Sequence, residues 1–127
     1  MGKLLTTVKV TADVRSGIMD YARDKYPNEM ILLLRGRLDG GIAYVESLVI
    51  PPFAAGSRTR SLFNQWALPP DPTLIGTVHS HPSGIARPST ADLLYSYGAV
   101  IMILGFPADL KAFDRNGKYL EVVIDGR

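Results

Sequence analysis

Leu74-Ile75-Gly76-Thr77-Val78-His79-Ser80-His81-Pro82 decides how the rest of the chain is read, because an apolar run rich in β-formers ends there in both of the chain's histidines. Leu74 to Val78 has the composition of a buried strand. If that strand continues, the two-residue alternation of its side chains turns His79 and His81 to the same face. Two imidazoles side by side are a natural pair of ligands for a borderline metal such as zinc, and equally a surface pair at a strand end. Downstream, Pro88 precedes Ser89, and Asp92 follows Ser89 after two residues. Ser-x-x-Asp reads as a capping box that opens a short helix from Ser89 to Tyr97. A carboxylate in the first helical turn is held rigidly and can also turn an oxygen to a metal. His79, His81 and Asp92 then form an N, N, O triad with a fourth position left for water, the pattern of a catalytic zinc site.

The remaining elements follow by pattern. Leu4 to Val10 reads as a first strand, and Thr11 as an N-cap. Val14, Ile18, Tyr21 and Ala22 form the apolar stripe of a helix that runs to about Lys25 and stops at Pro27-Asn28. Met30 to Leu34 and Ile42 to Ile50 are two strands, with Gly40-Gly41 between them as a hairpin turn. Val100 to Leu104 is another buried strand. Leu110 to Phe113 and Tyr119 to Ile124 flank Asn116-Gly117, a strong hairpin signal. Pro51 to Asp71 has no clear period and holds Arg58, Arg60, Phe63 and Trp66. Its length predicts a segment that borders a substrate groove, or a loop whose aromatics fill the core. The fold class is α/β, with a mostly antiparallel mixed sheet flanked by helices.

Composition bounds the rest. The chain has 127 residues, 46% hydrophobic and 20% charged, which fits one folded domain spanning residues 1–127 and excludes disorder. Twelve glycines and nine prolines argue for many turns and against a helical bundle. With no cysteine, disulfides, thiolate zinc fingers, Fe–S clusters and a cysteine nucleophile are all excluded. The net charge of +2 is too weak to predict nucleic-acid binding. The N-terminus lacks the pattern of a signal peptide, and Gly98 to Ala108, the longest apolar stretch, is too short for a membrane span. A cytoplasmic protein with no membrane partner is expected.

A catalytic zinc site needs a base for the water's proton. Glu29, at the entry to the Met30 to Leu34 run, is the leading candidate, although a solvated strand-end residue would look the same. Glu46 and Glu121 are alternatives, both placed mid-strand where an outward face explains them.

Glu29, His79-Ser80-His81-Pro82, Ser89 and Asp92 together resemble the signature of the JAMM, or MPN-plus, metallopeptidases. The order of helix, hairpin, long loop, His-bearing strand and short helix extends that resemblance over nearly the whole chain. It implies an MPN fold (JAB and cytidine-deaminase-like) of the minimal stand-alone type found in archaea and some bacteria. It implies one zinc per chain on His79, His81 and Asp92, with Glu29 as general base on the zinc-activated water and Ser89 as oxyanion donor. It also implies cleavage after the C-terminal Gly-Gly of a ubiquitin-like modifier, whose extended tail fits a groove too narrow for side chains. Ubiquitin-like modifiers or their conjugates are therefore the expected partners. Processing of a ubiquitin-like sulfur-carrier protein, a DNA-associated role of the RadC type and a non-catalytic MPN scaffold are the competing readings. The intact five-residue set speaks against the scaffold, and the low net charge against the DNA role. Oligomeric state stays open, a homodimer included.

Overall fold

The computed structural model describes residues 4–51 and 71–125, without the side chain of Tyr95. Arg58, Arg60, Phe63 and Trp66, with most of the long Pro51 to Asp71 segment, lie outside the described residues.

The first helix shows how closely local sequence sets local structure. Thr11 ends β1 (Thr7–Thr11) and caps α1 (Ala12–Lys25), its hydroxyl accepting the Val14 N–H at 3.0 Å. Asp13 in the first turn, and Arg23 and Lys25 in the last, complement the helix dipole. Val14, Ile18 and Ala22 are buried on one stripe, as their spacing predicts.

Strands β2 (Ile31–Asp39) and β3 (Ile42–Val49) form the expected hairpin, and both turn glycines, Gly40 and Gly41, take positive φ. After residue 71 come β4 (Leu74–His81), α2 (Thr90–Tyr95), β5 (Val100–Gly105), β6 (Asp109–Asp114) and β7 (Tyr119–Asp125). Asp114 closes the last hairpin by accepting the N–H groups of Asn116 and Lys118 at 2.8 and 2.9 Å. Several elements differ in extent from their sequence pattern, most of all β2, which runs on to Asp39 past the apolar run ending at Leu34. The first strand starts at Thr7 instead of Leu4, and β2 at Ile31 instead of Met30. The second helix ends at Tyr95, because Ser96 takes extended backbone ahead of Gly98, whose φ is 82°.

The strand order is β1-β3-β2-β4-β5-β6-β7, and the sheet curls until β7 pairs with β1. The pairings β2–β3, β2–β4, β5–β6 and β6–β7 are antiparallel; β1–β3, β1–β7 and β4–β5 are parallel. The sheet is thus mixed and mostly antiparallel.

Two apolar clusters cover its two faces. The larger joins α1 to Val8, Val10, Leu34, Val78, Met102 and Leu104 among others. The smaller holds Ala86, Ile101, Ile103 and Phe113, with Leu93 of α2 packed on it. Alternation along β5 explains the split, since Met102 and Leu104 face the first cluster while Ile101 and Ile103 face the second. In the parallel β4–β5 register, His79 lies beside Ile103, and so falls on the α2 side of the sheet. Among the described residues, no helix is long and apolar enough to cross a membrane.

Candidate metal centre

β4 is flanked on both sides, by β2 and by β5, so the backbone that carries the histidines is fixed by two ladders. The strand does continue through His81, and alternation sets the two imidazoles on one face, with ring centres 5.7 Å apart and planes 24° from parallel. His79 is 3% exposed. Beyond His81 the chain doubles back. Gly84 N–H donates to His81 O at 2.9 Å, and Phe106 N–H to the same carbonyl at 3.1 Å. Gly84 has φ +90° and its carbonyl oxygen lies 2.4 Å from where a Cβ on Gly105 would stand, so the turn can sit on the end of β5 only if residue 105 is glycine.

This turn delivers the third residue. Ser89 caps α2, its hydroxyl accepting Asp92 N–H at 3.1 Å, while Asp92 Oδ2 accepts Ser89 N–H at 2.7 Å. The reciprocal pair is the capping box read from the sequence. It holds the Asp92 carboxylate, 2% exposed, between the two imidazoles. Oδ1 stands 3.1 Å from His79 Nε2, and Oδ2 stands 3.2 Å from His81 Nε2. One ligand atom from each residue lies within 4.8 Å of the others.

The protonation chemistry of this group points to a cation. His81 Nδ1 is 2.8 Å from Ile85 O, which can only accept, so Nδ1 carries a hydrogen. His81 Nε2, facing Asp92, therefore bears either a second proton or a lone pair. The hydrogen bond with Asp92 raises the His81 pKa above its usual 6.5, ahead of burial that lowers it, and the charge of Glu29 adds to the rise. Burial would raise the Asp92 pKa, but contacts with His79 and His81, the charge of His79 and the Ser89 N–H outweigh it and hold the carboxyl well below its usual range. His79 Nε2 faces Asp92 Oδ1, and among the described residues its buried Nδ1 has no hydrogen-bond partner. Ligands about 2.0–2.1 Å from a tetrahedral zinc stand roughly 3.3 Å apart, close to the two separations across Asp92. The donor set fits a divalent metal of zinc's type.

Glu29 is half-buried at the mouth of β2. The antiparallel register pairs Ile31 with His79, and carried two residues back it brings position 29 opposite His81. The alternatives do not converge here. Glu46 is exposed on β3 and paired with Arg37 at 3.4 Å, and Glu121 is exposed on β7. Neither strand adjoins β4. Sequence reasoning missed two participants, the Ile85 carbonyl that sets the His81 tautomer and Ser80, a polar residue in an apolar strand that makes its own buried contact. A backbone carbonyl leaves no trace in residue types. Ser80 did leave one, in its place between the histidines.

The family model for prokaryotic homologues of the JAB domain, Prok-JAB, matches residues 11–116, a range that contains Glu29, His79, His81, Ser89 and Asp92. The chain belongs to the Prok-JAB family. A probable metalloprotease of Haloferax volcanii is 34% identical over 122 residues, covering 87% of this chain and 75% of that protein. A JAB1/MPN domain protein from Archaeoglobus fulgidus superposes with a TM-score of 0.66 at 31% identity, over 91% of this chain and 98% of the other. A structure described as JAMM, a metalloprotease-like zinc site in the proteasome and signalosome, superposes with a TM-score of 0.64 at 28% identity, over 95% and 99% of the two chains. This Prok-JAB protein therefore has the JAB1/MPN fold expected from its motif.

Proposed function

We propose that this Prok-JAB protein is a zinc metallopeptidase of the JAMM type that cleaves the bond after the C-terminal Gly-Gly of a ubiquitin-like modifier. The convergence of His79 Nε2 and His81 Nε2 on the two oxygens of one buried carboxylate carries the reading. The Haloferax volcanii relative, named a probable metalloprotease, supports it. His79, His81 and Asp92 would hold the ion.

Bound there, zinc supplies Lewis acidity that eases deprotonation of water and polarises the scissile carbonyl. The protein's own groups do the rest. Glu29, across from His81, takes the proton of the attacking water and returns it to the leaving amine. The Ser89 hydroxyl, held within one helical turn of Asp92, donates to the developing oxyanion. Ile85 O and the Ser89 N–H keep His81 and Asp92 oriented, as partners of metal ligands commonly do. A Gly-Gly tail brings no side chain to this site.

The test is cleavage of a ubiquitin-like modifier fused through its Gly-Gly terminus to a reporter protein or to a lysine ε-amine, with and without chelator. Scission after Gly-Gly that chelator stops and zinc restores is the expected result. Cleavage indifferent to chelator would overturn the zinc assignment, and zinc-dependent cleavage of unrelated peptides alone would overturn the substrate class.

A further inference from the structure

Ser80 stands between the two histidines yet faces away from them. Alternation turns it to the side of the sheet that carries Val78 and the main core, where it is 2% exposed. Its partner there is backbone. In the β2–β4 register Ile31 faces His79, so Met30 would face Ser80. Ser80 N–H does donate to Met30 O, at 3.1 Å, as an antiparallel hydrogen-bonded pair requires. The return bond of such a pair should run from Met30 N–H to Ser80 O. It runs instead to the Ser80 hydroxyl, at 2.9 Å. At this one step a side chain replaces a ladder carbonyl, and β2 begins only at Ile31.

The substitution has a geometric meaning. A hydroxyl reaches beyond the main chain, so Met30 can stay bonded while its backbone departs from the line of β4. The next residue out is Glu29. We propose that Ser80 is a positioning residue for Glu29: its hydroxyl fixes where the chain leaves the ladder, and thereby where the Glu29 carboxylate stands relative to His79, His81 and Asp92. An alanine would leave the buried Met30 N–H without its acceptor and let the segment shift. A threonine retains the oxygen. His79 and His81, facing the other way, would keep their places in either case. The inference rests on the peptidase reading, in which Glu29 is the base, but its structural half can be measured without turnover.

The experiment compares Ser80→Ala and Ser80→Thr with the native protein in three measurements. Amide hydrogen exchange at Met30 should quicken by about tenfold or more in Ser80→Ala while the following β2 amides keep their protection. On the Gly-Gly fusion, kcat should drop by on the order of 10- to 100-fold with KM within about twofold, the signature of a misplaced catalytic group. Zinc affinity, measured by competition with a chromogenic chelator, should stay within about threefold, because neither imidazole moves. Ser80→Thr should restore both Met30 protection and kcat. A Met30 amide as protected in Ser80→Ala as in the native protein would overturn the proposal, as would a zinc affinity that falls in step with kcat. If the native protein fails to cut the fusion, the peptidase reading is lost, and exchange at Met30 still decides whether the hydroxyl holds the strand entry.

Discussion

Glu29, His81 and Asp92 make the sharpest residue-scale statements. Glu29→Gln keeps the shape of the side chain and loses the basic oxygen. It should bind zinc normally and lose on the order of 10² to 10⁴ in kcat, as removal of a general base does. Activity near native would move the base elsewhere. His81 and Asp92 couple the protein to pH. The His81 pKa is raised by the Asp92 carboxylate, so in the metal-free protein the stability from this pair is complete below the ordinary value of 6.5 and fades as pH climbs through the raised one. The lowered Asp92 pKa adds stability above the usual carboxylate range, lost only in strong acid. Metal-free protein should therefore melt at a higher temperature near about pH 5.5 than near about pH 8.5. Zinc must displace the His81 proton, so its affinity should fall over the same acid range. Parallel melting curves of the native protein and His81→Ala at the two pH values check this. A native protein with no such difference would remove the charged pair from the account.

At the scale of elements, α2 carries two burdens on one residue pair. The Ser89–Asp92 capping box both starts the helix and holds the carboxylate toward the histidines. Ser89→Ala should cost roughly 0.5–2 kcal/mol of stability as a lost N-cap. If the same hydroxyl stabilises the oxyanion, kcat should also drop by about 10² to 10³. Melting and kinetics on this variant separate the roles, and a stability loss with kcat intact would leave Ser89 as a cap alone. The elements themselves were largely legible. Thr11, the α1 stripe, Gly40-Gly41 and Asn116-Gly117 each set structure through contacts within a few residues, and such contacts are written in the sequence. Element ends were less so. β2 starts one residue later than its apolar run because Met30 N–H is taken by Ser80, fifty residues away.

At the scale of the whole molecule, the centre joins parts that have little else in common. His79 and His81 sit on a strand locked by both neighbours, whereas Asp92 rides on a two-turn helix that packs on the small cluster of Ala86, Ile101, Ile103 and Phe113. An ion shared between them should tie the 82–98 segment to the sheet. Zinc at about 100 times its Kd adds roughly 2.7 kcal/mol to stability, so removing it with chelator should lower Tm by several degrees. The 82–98 amides should lose protection first. A Tm unmoved by chelator, with zinc shown to have left, would mean the segment is held by its apolar contacts alone.

The candidate triad of His79, His81 and Asp92, the helix cap and the α/β class could be read from residue order alone. Residue type, two-residue alternation and the Ser-x-x-Asp spacing are local properties, and they survive in a string of letters. The sequence left open the parallel pairing of β1 with both β3 and β7 and the curl that closes the sheet. Tertiary structure decided these. Strand neighbours depend on how apolar faces far apart in the chain are buried together, and a carboxylate's place at the site depends on register. The antiparallel step that sets Ile31 against His79 brings Glu29 to His81, while Glu46 and Glu121 fall on strands that do not touch β4.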